Sequence, residues 1–179
     1  MEDELRSEAK EVINYLHSKN IQTILLSGDS NARTQKIADA LGIDKIYAEK
    51  TPEEKLKIVE ELNNVAPVAM VGDGINDAPA LAKATIGISM SDATQLAMQT
   101  AQVVLMNKGI QHLPLALGLG RHTFTTIKEN LFWAFIYNIV AIPVAAAGLL
   151  YPGFAALAMG FSDVVLAVNS IRLNYKKVV

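Results

Sequence analysis

The chain has 179 residues with 16 Lys and Arg against 18 Asp and Glu, a formal net charge of −2 and no dense basic patch, which excludes an electrostatic footprint for nucleic acid. Its lack of cysteine excludes disulfides, Cys-ligated zinc and thiol nucleophiles. The 51% hydrophobic content averages two unlike halves: charge is spread throughout up to about Asn107, whereas between Asn130 and Ile171 the only ionisable carboxylate or base is Asp163.

The opening MEDELRSEAK is charged and has no apolar stretch, so no signal peptide is expected there. From Leu5 to Leu16 the apolar residues Leu5, Ala9, Val12, Ile13 and Leu16 recur every three or four positions, which predicts a helix with one buried face. Ile21 to Leu26 is a short β-prone run ending at Ser27-Gly28-Asp29, and Arg33 to Leu41 reads as a helix stopped by Gly42. At Thr51-Pro52-Glu53-Glu54 the signals of a helix start coincide: Thr51 as N-cap, Pro52 at the first helical position, and Glu54 placed to close a capping box. Val68 to Val71, Thr85 to Ile88 and Gln102 to Leu105 are further apolar runs, the first ending in Gly72-Asp73-Gly74. Short apolar strands alternating with helices imply a parallel sheet covered on both faces. Ligands in such sheets sit beyond the carboxyl ends of the strands, where both acidic-glycine motifs are expected.

Asn130 to Leu150 is a charge-free stretch of about twenty residues, the length of a helix that crosses a hydrocarbon core. Phe154 to Ile171 is a second, shorter candidate, interrupted by polar Ser162, Asp163, Asn169 and Ser170, and Tyr151-Pro152-Gly153 is the turn between them. Arg121 and Lys128 precede the first span, and Arg172, Lys176 and Lys177 follow the second. The positive-inside rule then puts both ends of a hairpin in the cytoplasm. A buried hairpin in a large soluble protein is the alternative, which two near-spanning segments with basic outer ends disfavour.

In Gly72-Asp73-Gly74-Ile75-Asn76-Asp77, two carboxylates four positions apart can converge on one hard cation. Magnesium takes oxygen ligands and commonly joins one or two protein carboxylates to a phosphate oxygen. Spacing alone leaves an ordinary turn open. Ser27-Gly28-Asp29 offers a hydroxyl and a backbone amide that could hold a phosphoryl group, and it also reads as plain N-capping. Lys55 sits one turn into its helix, where a cation gains nothing from the macrodipole, so it is either solvated surface or aimed at an anion.

Taken in order, Leu25-Leu26-Ser27-Gly28-Asp29, Thr51-Pro52-Glu53-Glu54-Lys55 and Met70-Val71-Gly72-Asp73-Gly74-Ile75-Asn76-Asp77-Ala78-Pro79-Ala80-Leu81 closely resemble the P-type ATPases of the haloacid dehalogenase superfamily. With Asp3-Glu4-Leu5-Arg6 upstream and two spans downstream, the resemblance covers nearly the whole chain. It implies a partial haloacid-dehalogenase-like (Rossmann-like) α/β fold with a parallel sheet, followed by a two-helix transmembrane hairpin. It also implies catalytic roles for Ser27, Gly28, Asp29 and Lys55: Ser27 on the phosphoryl oxygens, Lys55 neutralising their charge. Gly72, Asp73, Gly74 and Asn76 would form the cofactor-binding turn, with Asp73 ligating Mg2+ and Asp77 supporting it. ATP would be the fuel of the parent protein. The family transfers the γ-phosphate to an Asp in a DKTGT motif; none occurs in these 179 residues, nor does a TGE or a His-Pro nucleotide motif, so the chain taken alone is not expected to form an aspartyl phosphate. The expected partners are the membrane and the rest of such an ATPase: the phosphorylated-Asp segment, nucleotide and actuator domains and other transmembrane helices.

Within the second half, Asp163 near a bilayer centre would cost at least about 2.5–3.5 kcal/mol to insert, which marks it as a functional candidate. Met159, Ser162 and Asp163 are spaced to share one helix face, and Tyr137 and Asn138 precede Pro143 on the other span. Tyr137-Asn138 followed by Met-x-x-Ser and Asn169-Ser170-Ile171-Arg172-Leu173 resembles the copper-transporting subgroup, and a thioether suits Cu(I). The resemblance thus implies a transported-ion site of Tyr137, Asn138, Met159, Ser162 and Asp163. Asp163 departs from the copper pattern, which has a second Ser there; the zinc and cadmium subgroup carries an intramembrane Asp but also a Lys in the preceding helix, absent here between Leu131 and Leu150.

The expected organisation is residues 1–112 as the C-terminal half of the phosphorylation domain, 113–129 as a linking helix, spans at 130–150 and 154–171, and a cytoplasmic tail at 172–179. The expected setting is integral to the membrane, at the plasma (inner) membrane, with both termini cytoplasmic. Competing readings are a zinc or cobalt pump and a non-catalytic small membrane protein derived from such an ATPase. A soluble phosphatase fails on the missing nucleophile and the two spans.

Overall fold

The structure is a computed structural model that describes residues 8–106, 109–149 and 151–175. The chain divides into two compact units, Met1–Pro114 and Leu115–Val179.

The first unit opens with α1 (Ala9–Ser18); the expected start at Leu5 and the Asp3-Glu4-Leu5-Arg6 motif lie outside the described residues. Asn20 takes a left-handed φ of 55° and lets the Ile21 amide return to the Leu16 carbonyl at 3.0 Å. Thr23 then donates its amide to Asp44 Oδ2 at 2.7 Å. With these amides engaged elsewhere, β1 is only Ile24–Leu26, shorter than the apolar run that predicted it. Helix α2 (Asn31–Leu41) ends at Gly42 with φ 76°, the glycine stop expected from sequence, and the Ile43 amide caps the Ala38 carbonyl. Strand β2 (Lys45–Tyr47), which the sequence pattern missed, pairs parallel with β1. Three residues with one charge are too short for either periodicity to register.

Helix α3 (Pro52–Val65) carries the expected capping box, with Glu54 N donating to Thr51 Oγ1 at 3.3 Å and Thr51 N to Glu54 Oε2 at 2.9 Å. Strands β3 (Ala69–Gly72), β4 (Ile86–Met90) and β5 (Val103–Leu105) form a second parallel ladder in that order. The expected single sheet therefore runs as two ladders, with no hydrogen-bonded register between β1 and β3 among the described residues. Both nonetheless share a core: Val59 of α3, Met70 of β3, Ala80 and Leu81 of α4 (Ala78–Lys83) and Ala97 of α5 (Gln95–Thr100) are buried together, with Leu26 of β1 packed on them. That core allows α4 to press onto β4 so closely that a Cβ at Gly87 would stand 2.6 Å from the Leu81 carbonyl oxygen.

The expected linker and first span are one helix, α6 (Leu113–Ala146), which carries Pro143 in its final turn and lies in the second unit from Leu115 on. It ends short of Leu150 because Gly148, at φ 71°, forms a left-handed cap in which the Leu149 amide donates to the Val144 carbonyl at 3.1 Å. Helix α7 is Pro152–Arg172. Both are long and apolar enough to cross a membrane.

Asp44 ties the starts of β1 and β2 to the end of α1: its Oδ2 accepts from the Thr23 amide, from Thr23 Oγ1 at 2.8 Å and from His17 Nε2 at 3.2 Å. Those hydrogen bonds, the Thr23 amide first, hold its carboxyl below the usual carboxylate range, and the Thr51 amide does the same for Glu54. A folded-state value below the unfolded one contributes stability that is full above the unfolded pKa, about 4, and is lost as pH falls through the depressed value. Protection of the β1 and β2 amides from hydrogen exchange, corrected for intrinsic rates, should therefore hold steady from neutral pH to about 5 and fall below about 4. In Asp44→Asn the neutral-pH protection should already be reduced and the acid-side fall smaller; an unchanged acid profile in that variant would refute the tether.

Candidate functional site

Three loops gather at the carboxyl ends of β1 and β3. After β1, Ser27 Oγ accepts the Asp29 amide at 3.1 Å, while the Ser27 carbonyl accepts the Lys50 amide at 3.0 Å and the Asp29 carbonyl accepts the Glu49 amide at 2.9 Å. The loop after β2 is thereby stitched to the Ser27-Gly28-Asp29 loop, and a Cβ at Gly28 would already touch the Lys50 carbonyl at 3.4 Å. One residue on, Thr51 caps α3 and delivers Lys55 at the helix's first turn.

After β3, the chain turns at Gly72-Asp73-Gly74 and enters a short 3-10 turn, Ile75–Asp77. Asp77 folds back over the strand end, where a Cβ at Gly72 would lie 2.9 Å from its own Cβ, a separation real carbons do not adopt. Only glycine at position 72 permits that approach. Lys55 Nζ meets Asp77 Oδ1 at 2.9 Å, with side chains 12% and 17% exposed. The lysine that gained nothing from its own helix dipole is thus aimed at a carboxylate 22 residues away.

Asp73 and Asn76 are exposed in the same turn that carries Asp77. The Asp73 carbonyl accepts the Thr94 amide at 2.9 Å, and Thr94 also caps α5 through the Ala97 amide. Sequence reasoning passed over Thr94 and the Glu49-Lys50 backbone contacts. Thr94 carried a usable signal, a helix-start threonine before Gln95-Leu96-Ala97; the Glu49-Lys50 contacts are backbone interactions and carry none.

The turn from Asp73 to Asp77 offers only hard oxygens: two carboxylates, one of them paired with Lys55, and the amide oxygen of Asn76. No cluster of three or more His, Cys, Asp or Glu exists among the described residues. That chemistry fits magnesium, which needs few protein carboxylates because water and phosphate complete its shell, and does not fit a soft or borderline ion.

In the second unit, Tyr137 and Ser162 line one cavity of about 220 Å³ together with Trp133, Ile136, Ala158, Phe161 and Val165. The other sequence candidates do not face it: Met159 is 60% exposed, Asp163 is exposed, and Asn138 is exposed with its Nδ2 donating to the Ala134 carbonyl at 2.9 Å. The helical spacing that grouped Met159, Ser162 and Asp163 thus places Ser162 against α6 and the other two outside the hairpin.

A haloacid dehalogenase-like hydrolase family model matches residues 1–85. The chain is 45% identical, over 98% of its length, both to a probable copper-importing P-type ATPase A of Enterococcus hirae and to a copper-exporting P-type ATPase of Staphylococcus haemolyticus, covering 25% and 22% of them. It spans about a quarter of the length of the curated relatives it matches. Among solved structures, a zinc-transporting PIB-type ATPase in an E2.Pi state superposes with a TM-score of 0.91 at 35% identity, over 96% of this chain and 28% of that one. The catalytic domain of the CPx-ATPase CopB-B gives 0.53 at 33% identity over 56% of this chain and 40% of that one.

The Lys55–Asp77 pair should behave as a mostly buried ion pair. Lys55→Met or Asp77→Leu alone strands a charge and should lower the stability of the first unit by roughly 2–4 kcal/mol, whereas the double variant should recover most of that loss. Urea denaturation of the four proteins, read by proteolysis of the first unit, checks this; additive losses would mean the two side chains do not interact.

Proposed function

Since this chain belongs with the heavy-metal P-type ATPases over the quarter of their length that it spans, we propose that it forms the magnesium- and phosphoryl-binding part of the phosphorylation domain and the last two membrane helices of an ATP-driven pump, with copper as the transported ion. The observation that carries this reading is Lys55 held at 2.9 Å from Asp77, in the turn that also carries the glycine-flanked Asp73 after a parallel strand. Phosphoryl transfer is catalysed mainly by positioning and by charge stabilisation, and these groups supply both.

Ser27 Oγ accepts a backbone amide, which leaves its own proton to donate to a phosphoryl oxygen. Lys55 spends one ammonium hydrogen on Asp77, which fixes the ammonium and leaves two hydrogens to meet the transferred group. Asp73, with Asp77 and Asn76 nearby, would hold magnesium, which when bound offsets the negative charge of the phosphate oxygens. The acceptor Asp belongs to a segment beyond these 179 residues. The outer edges of β1 and β3 are unpaired among the described residues, as are those of β2 and β5, and a parallel strand bearing that Asp could add to β1 or β3, the strands whose carboxyl ends carry the motifs.

In the integral membrane half, Tyr137 and Ser162 form the inner wall of the ion path, and Met159 and Asp163 project outside the hairpin, where the remaining helices of the pump would supply further ligands. Both ends of the hairpin lie on the cytoplasmic side of the plasma (inner) membrane, following the basic residues Lys128 and Arg172. A divalent-ion pump is the second reading, favoured by the Asp163 carboxylate and by the similarity to the zinc-transporting structure.

In the full-length ATPase, Asp73→Ala should lower phosphoenzyme formation from ATP by about 10²–10³-fold in acid gels while membrane insertion is kept. Wild-type phosphoenzyme would remove Asp73 from the site. Metal choice is tested separately: Met159→Ala should abolish Cu(I)-stimulated turnover, and Asp163→Ser should leave it substantially intact. Loss of transport in Asp163→Ser with tolerance of Met159→Ala, and activation by zinc or cobalt, would replace copper by a divalent ion.

A further inference from the structure

The function proposed above makes no use of the polar side chains that join α6 to α7. Asn169 Nδ2 of α7 donates to Asn130 Oδ1 at 2.8 Å and to Glu129 Oε2 at 3.1 Å, both on α6. Asn130 Nδ2 donates to Ser170 Oγ at 3.0 Å, and that hydroxyl donates to the Leu166 carbonyl at 2.8 Å. Amide and hydroxyl roles agree around the whole network: each donor meets an acceptor.

The network lies on the stripes along which the two helices meet. On α7 the half-buried residues Ser162, Val165, Leu166 and Asn169 recur every three or four positions, and on α6 so do Asn130, Ala134, Tyr137, Ala141 and Val144. Two helical turns along α6 from Asn130 stands Tyr137, and two turns back along α7 from Asn169 stands Ser162. Because the helices run antiparallel, both steps lead away from the clasp in the same direction, and they end at the walls of the same cavity.

Apolar side chains between membrane helices select a register poorly, because lipid is as apolar as the partner helix and a sliding contact loses little. A polar pair at a seam position does select one, since any shift leaves its groups unpaired. Moving one residue along α7 turns the helix by about 100°, enough to carry Ser162 out of the cavity.

We propose that Glu129, Asn130, Asn169 and Ser170 are positioning residues that set the register of α6 against α7 and so bring Tyr137 and Ser162 onto one metal path. The proposal rests on the ion-path reading of those two residues, and the experiment separates the two. The 179-residue chain has no cysteine of its own, so in membranes Tyr137→Cys with Ser162→Cys should cross-link on oxidation. Adding Asn169→Leu should abolish the cross-link, while the exchange N130S/S170N, which keeps an amide facing a hydroxyl, should retain it. A cross-link equally efficient with Asn169→Leu, or lost in the exchange variant, overturns the proposal. In the full-length pump, Asn169→Leu should raise the Cu(I) or Zn2+ concentration for half-maximal ATPase activation by about 10–100-fold with the maximal rate largely kept, and the exchange variant should recover it. An unchanged half-activating concentration overturns the positioning role. A wild-type enzyme that neither metal stimulates, alongside cross-links as expected, defeats the pump reading and the link to metal with it, leaving only the register.

Discussion

The contact between Lys55 and Asp77 holds because the backbone at Gly72 has no side chain, and most of the site follows from that constraint. Asp77 can fold over the end of β3 only where a Cβ is missing, since the separation of 2.9 Å that would result is below any real carbon contact. Once there, its Oδ1 meets an ammonium brought by α3, so the ends of two elements become one surface. The capping box at Thr51 fixes the first turn of α3 and with it the height at which Lys55 emerges. The Ser27 loop joins through its backbone bond to Lys50, one residue before that cap.

Coulombic attraction at 2.9 Å is large wherever water is thin, but the cost of desolvating both ions is of similar size, so the pair adds little net stability. Its consequence is geometric. A lysine kept next to a carboxylate at the mouth of a strand end is held in one place. A solvated surface lysine would be charged but unplaced, and placing charge in advance is what lowers the barrier to phosphoryl transfer.

In the membrane half the same logic runs with the solvent inverted. Apolar residues cover most of α6 and α7 and give insertion but little orientation, while a few polar side chains carry the orientation. Asn130 and Asn169 are uncharged, so they cost less to bury than Asp163 would, and they satisfy one another. Asp163 is exposed on the hairpin, where a carboxylate in an apolar setting is costly unless water or another polar group meets it.

What the sequence determined by itself is what local chemistry decides. Thr51, Pro52 and Glu54 specify a helix start within four residues, Gly42 stops α2 by taking a φ other residues avoid, and the charge-free stretch after Asn130 marks a span by length alone. The order of the motifs carried the fold class through their resemblance to a known family, two of them following strands and one opening a helix. Tertiary structure alone decided β2, which is three residues held by β1 and by the Asp44 tether to Thr23. It also decided the aim of Lys55, the separation of the sheet into two ladders, and which membrane candidates meet, with Tyr137 and Ser162 together and Met159 and Asp163 apart. Helical spacing fixes which residues share a face, but the direction in which that face turns is set by a partner far along the chain, and no local periodicity encodes the partner.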